Sequence, residues 1–137
     1  MKARGFTRET IREIGIYARK FPKFNVGDAI LVALRIKEGD KERTQEFEGD
    51  VIAIYNNGAS STFTVRRIGA DSVSVERILP YYSPMIDSIT FLRAGKVRRA
   101  KLFFMRDRIG KRARVREKVL TKEQKIVQTT AARQAAL

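Results

Sequence analysis

The chain has 137 residues, 43% of them hydrophobic, which suits one domain with a modest core plus appendages. Its 29 Lys and Arg against 15 Asp and Glu leave a net charge of +14, which calls for a polyanionic partner, either nucleic acid or an anionic membrane surface. The sequence has no Cys and no His, which excludes disulfides, thiolate nucleophiles, zinc–thiolate sites and the commonest general base.

No stretch approaches the roughly 18 apolar residues that a membrane span needs. Charges recur at Arg4, Arg8, Glu9, Arg12 and Glu13, so neither a signal core nor a transit peptide is indicated. The composition therefore predicts an intracellular, non-secreted binding protein. In chain order, Thr7–Lys20 reads as a short helix with Thr7 as N-cap, Ile11, Ile14 and Ala18 on one face, and Pro22 as its stop. Phe21 and Phe24 are expected to anchor the chain to the core.

From Val26 the pattern turns to strands. Ala29–Lys37 is followed by the turn Glu38-Gly39-Asp40 and by Arg43–Tyr55, in which Gly49 marks a corner or bulge. Asn56-Asn57-Gly58 is a turn, Ser61–Ile68 alternates with Phe63 and Val65 as core, and Gly69-Ala70-Asp71 turns into the strand Val73–Leu79. Pro80 and Pro84 bracket an irregular crossing with Tyr81 and Tyr82 read as exposed. Ile86–Leu92 and Val97–Met105 complete six short strands, the count of a small β-barrel or sandwich. The tail from Thr121 is Ala- and Gln-rich and reads as helix or disorder.

Charge is unevenly spread along these elements. Residues 93–118 hold 12 basic and 2 acidic side chains, so 10 of the 14 net charges fall in 26 residues. A short charge run is usually a solvated face, but this concentration exceeds that reading. Leu102–Met105 is expected to anchor the segment, while its arginines, suited to bidentate phosphate contact and base stacking, project outward. Residues 106–116 read as an extended or helical arm that orders against RNA. The acids Glu38, Asp40, Glu42, Glu46, Glu48 and Asp50 alternate along strands and have no His nearby, so a solvated face is favoured over a metal or acid–base site.

The stretches 24–28 (FNVGD), 38–49 (EGDKERTQEFEG), 62–66 (TFTVR), 75–80 (VERILP), 83–84 (SP), 95–102 (GKVRRAKL) and 106–114 (RDRIGKRAR) occur in this order. Together they resemble the bacterial-type large-subunit ribosomal protein nineteen family over about residues 24–118. The sequence departs from the family's glycine-rich loop at Tyr55–Ser60, and from its Gly-Val-Gly at Ser72-Val73-Ser74. The resemblance implies a mostly β fold, a small SH3-like β-barrel over residues 23–105. It maps the family's basic extension onto Gly95–Lys118, while the chain's own pattern, outside the resemblance, sets an N-terminal helical segment at residues 1–22 and a basic C-terminal extension and tail at residues 106–137. It implies a non-catalytic constituent of the large ribosomal subunit that binds rRNA and contributes to the intersubunit bridge with small-subunit rRNA. Neighbouring large-subunit proteins are further expected partners, with no membrane, metal or cofactor. The expected location is the cytoplasmic ribosome, with an organellar ribosome as the alternative.

The expected RNA contacts are Arg66, Arg67, Arg77, Lys96, Arg98, Arg99, Lys101, Arg106, Arg108, Lys111, Arg112 and Arg114. The rival readings are a non-ribosomal RNA chaperone or translation factor, a nuclease using the 38–50 carboxylates with a metal, and a membrane-surface binder.

Overall fold

A computed structural model describes residue 10 and residues 14–119. Five antiparallel strands form one sheet: β1 (Ala29–Glu38), β2 (Lys41–Tyr55), β3 (Thr62–Ile68), β4 (Ser74–Pro80) and β5 (Ile86–Arg93), in the spatial order β4-β3-β2-β1-β5. The long strand β2 serves two neighbours in turn. Its residues 41–50 pair with β1, and Asp50–Tyr55 pair with β3. Gly49 sits near this handover, where an added Cβ would lie 2.5 Å from the Arg66 carbonyl oxygen, so the predicted corner is a site of close backbone approach.

The β2–β3 register slips between Val51 and Ala53, leaving Ile52 unpaired in the ladder. A bulge of this kind re-aims side chains and bends the strand. Val51 faces the main core, with Ile54 packed against that core three residues on, while Ile52 turns to a second cluster with Leu102 and Met105. The main core joins Ile30, Val32 and Leu34 of β1 to Phe47, Phe63, Val65, Leu79, Ile86 and Ile89. Both edge strands thus feed one interior, and the sheet curls around it.

The sheet does not close, however. No ladder joins β4 to β5, so the expected SH3-like barrel is met as a curled, open, five-stranded sheet. The sixth predicted strand, Val97–Met105, is absent too. Residues 98–100 bend and Phe103–Asp107 forms a 3-10 turn. Leu102 and Met105 are buried at a spacing of three, which fits a 3-10 turn and not the two-residue period of a strand.

The predicted N-terminal helix lies mostly outside the described residues. Within them, Ile14 N–H donates to the Thr10 carbonyl at 3.2 Å and Gly15 adopts φ +90°. A left-handed glycine ends a helix, and residues 16–20 are irregular, so the helix does not run to Lys20. Arg19 instead clamps this segment to the β4–β5 crossing. It donates to the carbonyls of Ser83 and Ile86 and to the Tyr17 hydroxyl.

Tyr81 and Tyr82 are half-buried and belong to a chain of edge-to-face rings with Phe21, Phe63 and Phe24. Burial raises the Tyr81 phenol above its ordinary pKa. In the β3–β4 hairpin, Asp71 and Ser72 take φ of 57° and 62°, and Gly69 N–H donates to the Val73 carbonyl at 2.7 Å.

Candidate nucleic-acid interface

The segment after β5 is a closed loop. Lys96 N–H donates to the Arg116 carbonyl and Lys118 N–H to the Ala94 carbonyl, each at 2.8 Å, which makes Gly95 and Glu117 an antiparallel bridge. The predicted arm therefore returns to its starting point. Arg108–Lys118 lacks enough apolar content to pack alone, yet Ala113 is buried and Val115 packs against the Ile52–Leu102–Met105 cluster with Val26 and Val97.

The base of the loop is fastened to the sheet at three further points. The buried Asp28 carboxylate accepts from Gly95 N–H at 3.0 Å and from Asn25 N–H at 2.8 Å. Leu102 N–H donates to the carbonyl of the bulged Ile52 at 2.8 Å. Gly95 is packed so tightly on the Gly27 carbonyl that a Cβ there would lie 1.8 Å from its oxygen. Full burial of Leu102 adds about 1.5–3 kcal/mol to this attachment.

The loop presents its cations outward on a stiffened frame. Two guanidinium groups lie over the Phe104 ring, Arg99 at 5.0 Å and Arg108 at 4.5 Å from its centroid. Arg106 covers Phe103 at 4.6 Å, and Lys101 Nζ sits 4.1 Å from the Tyr55 ring centroid. Such contacts order flexible side chains before a ligand arrives, which lowers the entropic cost of binding.

The twelve expected contacts fall into two groups. Lys96, Arg98, Arg99, Lys101, Arg106, Arg108, Lys111, Arg112 and Arg114 are all exposed on the loop, and Arg67 is exposed on β3. Arg67 and Arg114 line a groove of about 360 Å³ together with Arg93, which sequence reasoning omitted. Arg116 and Lys118, also omitted, are exposed at the base of the loop. Their signal was simply membership of the 93–118 charge block.

Arg66 and Arg77 differ. The Arg66 side chain is only 6% exposed and pairs with Glu76 at 2.8 Å, while Arg77 lies over Phe47 at 4.8 Å and donates to Gln45 Oε1. These two are committed to the sheet. Glu76 also holds Arg106 at 2.8 Å, so one carboxylate ties β3, β4 and the loop together. The hydrogen bond from Arg106, and then that from Arg66, hold its pKa below the ordinary glutamate value despite partial burial. The β3–β4 register sets Arg66 opposite Glu76, a pairing implicit in the position of the 69–71 turn.

The acidic residues on β2 behave as solvated side chains except Asp50, whose side chain is only 14% exposed and pairs with Arg93 at 3.3 Å, so the expected solvated face stops short of it. Glu42, Glu46 and Glu48 are exposed, and Glu38 pairs with Arg43 at 2.9 Å. Among the described residues, no three His, Cys, Asp or Glu side chains gather in a group able to hold a metal ion.

The sequence matches known proteins over most of its length. The model of the family "Ribosomal protein L19" matches residues 8–118. The large ribosomal subunit protein bL19 of Campylobacter jejuni is 57% identical over 102 residues, covering 74% of this chain and 86% of that protein. The bL19 proteins of Campylobacter lari and of a Sulfurovum species are 53% and 52% identical over 109 residues, each covering 80% of this chain and 92% of the relative. The chain belongs to the ribosomal protein L19 family, whose members are structural constituents of the large ribosomal subunit and not enzymes.

Proposed function

We propose that this chain is built into the large ribosomal subunit as a permanent rRNA-binding constituent, with the closed basic loop at 94–118 as its main RNA-facing surface. The carrying observation is that loop: its cations are exposed while its backbone is fastened to the sheet end through Asp28 and Ile52 and closed on itself by the Gly95–Glu117 bridge. Phosphate contacts supply most of the affinity, and the fixed shape of the loop supplies selectivity for folded RNA. Lys96, Arg98, Arg99, Lys101, Arg108, Lys111, Arg112 and Arg114 make direct contacts, joined by Arg67 and Arg93 at the groove. Arg66 and Arg77 support this surface from within the sheet, and Arg106 does so while keeping an exposed face.

In the same reading the curled sheet is an SH3-like barrel opened between β4 and β5. A surface of the chain reaches small-subunit rRNA in the intersubunit bridge, and neighbouring large-subunit proteins pack on the sheet. The host is a cytoplasmic bacterial ribosome, as the bacterial origin of the relatives supports.

Co-sedimentation of tagged chain with large subunits through moderate salt tests the proposal. Stoichiometric recovery is expected, and replacing Arg98, Arg99, Arg112 and Arg114 together by Gln should lower it. Unchanged occupancy of the quadruple variant in salt-washed particles would overturn the assignment of the loop.

A further inference from the structure

A second depression, of about 410 Å³, opens on the aromatic side of the sheet, away from the arginine-lined groove in residue composition. The half-buried rings of Phe24, Tyr81 and Tyr82 line it, and the buried Phe63 backs it. These rings meet edge to face, Phe24 with Phe63 at 5.2 Å and Tyr81 with Tyr82 at 5.0 Å, so they do not stack on one another. Lys23, Asn25 and Asn56 supply polar lining, and no Asp or Glu is among the residues around it.

The two asparagines carry the chemical argument. Both are exposed, and neither side-chain amide hydrogen-bonds to any described residue. A free amide offers a donor and an acceptor side by side, the pattern that pairs with the edge of adenine. Aromatic faces beside such an amide form the arrangement by which unstacked RNA bases are read. Lys23 and the absence of carboxylates favour a polyanion over an acidic or neutral peptide. One lining residue, Asn56, is next in sequence to Tyr55, the ring that Lys101 of the basic loop covers.

We propose that this pocket receives one unstacked purine base, adenine above guanine, from the RNA held by the basic loop. The base stacks on Tyr81, with Tyr82 and Phe24 bounding the slot, its edge on Asn25 and Asn56 and its phosphate near Lys23. The inference rests on the rRNA-binding function proposed above and adds a base-specific contact to a surface otherwise read as grasping phosphate.

The test is dimethyl sulfate probing of large-subunit rRNA bound to the full chain, to Asn25→Ala/Asn56→Ala and to Tyr81→Leu, with thermal melts confirming that both variants fold. The full chain should protect at least one unpaired adenine. Both variants should restore its reactivity and lose roughly tenfold in affinity, while protections made by the basic loop persist. Identical footprints for all three proteins would overturn the pocket and leave the rRNA-binding function standing. The same unchanged footprint is expected if a protein side chain or the chain's own first residues fill the pocket. Failure of the unaltered chain to bind rRNA would instead sink the underlying function.

Discussion

Asp71 and Ser72 both occupy the left-handed region, which costs an ordinary L-residue about 1–2 kcal/mol. Neither residue is glycine, so the β3–β4 hairpin carries strain at this point. Ser72→Gly should stabilise the protein by roughly 0.5–1 kcal/mol after the added freedom of the unfolded glycine is counted. A thermal melt should rise by about 3 °C. Glu76 makes the opposite case, a single side chain on which several elements depend. Its folded pKa is lowered, so its stabilising contribution is complete above the ordinary value of 4.5 and is lost as the pH falls through the lower folded value. Glu76→Gln should cost about 1–3 kcal/mol at neutral pH and flatten the acid limb of the stability–pH profile. An unchanged acid limb would show that other carboxylates govern it.

At the scale of elements, the sheet was legible because period-two alternation and turn residues are local signals. Glu38-Gly39-Asp40 and Gly69-Ala70-Asp71 punctuate the chain at turns that join β1 to β2 and β3 to β4. The misreadings share a cause: each depends on contacts distant in sequence. Leu102 and Met105 looked like strand residues, but the bulged Ile52 carbonyl draws Leu102 into a 3-10 turn. Arg66 looked like a free cation until strand pairing set it against Glu76. Tyr81 and Tyr82 looked exposed because nothing local announces the rings that pack on them. The loop shares little surface with the main core, so it is expected to open as a unit below the global unfolding free energy. Leu102→Ala should cost about 2–5 kcal/mol of that local stability. Hydrogen exchange should then accelerate at Lys96, Leu102 and Lys118 while the β1–β2 amides stay protected. Gly95→Ala should act in the same direction, because the Gly27 carbonyl must move to admit the methyl group.

Across the whole molecule, charge and packing are segregated. The sheet holds nearly all the apolar burial, and residues 93–118 hold most of the net charge. Salt should therefore weaken RNA binding steeply, and removing Arg98, Arg99, Arg112 and Arg114 should reduce the slope of log affinity against log salt by about 3. Their loss should leave the thermal midpoint within a few degrees, since all four side chains are exposed and none forms an ion pair with a described residue. A large drop in midpoint would mean that the loop also supports the sheet. The meeting of Ala94 with Lys118 has a consequence for how such a protein can diversify. Because the two stems adjoin, the span between them behaves as an exchangeable cassette, and the cost of closing it grows only with the logarithm of its length. Residues inserted at its exposed turns, away from the buried Leu102, Met105 and Ala113, should therefore leave the register of the strands beneath unchanged.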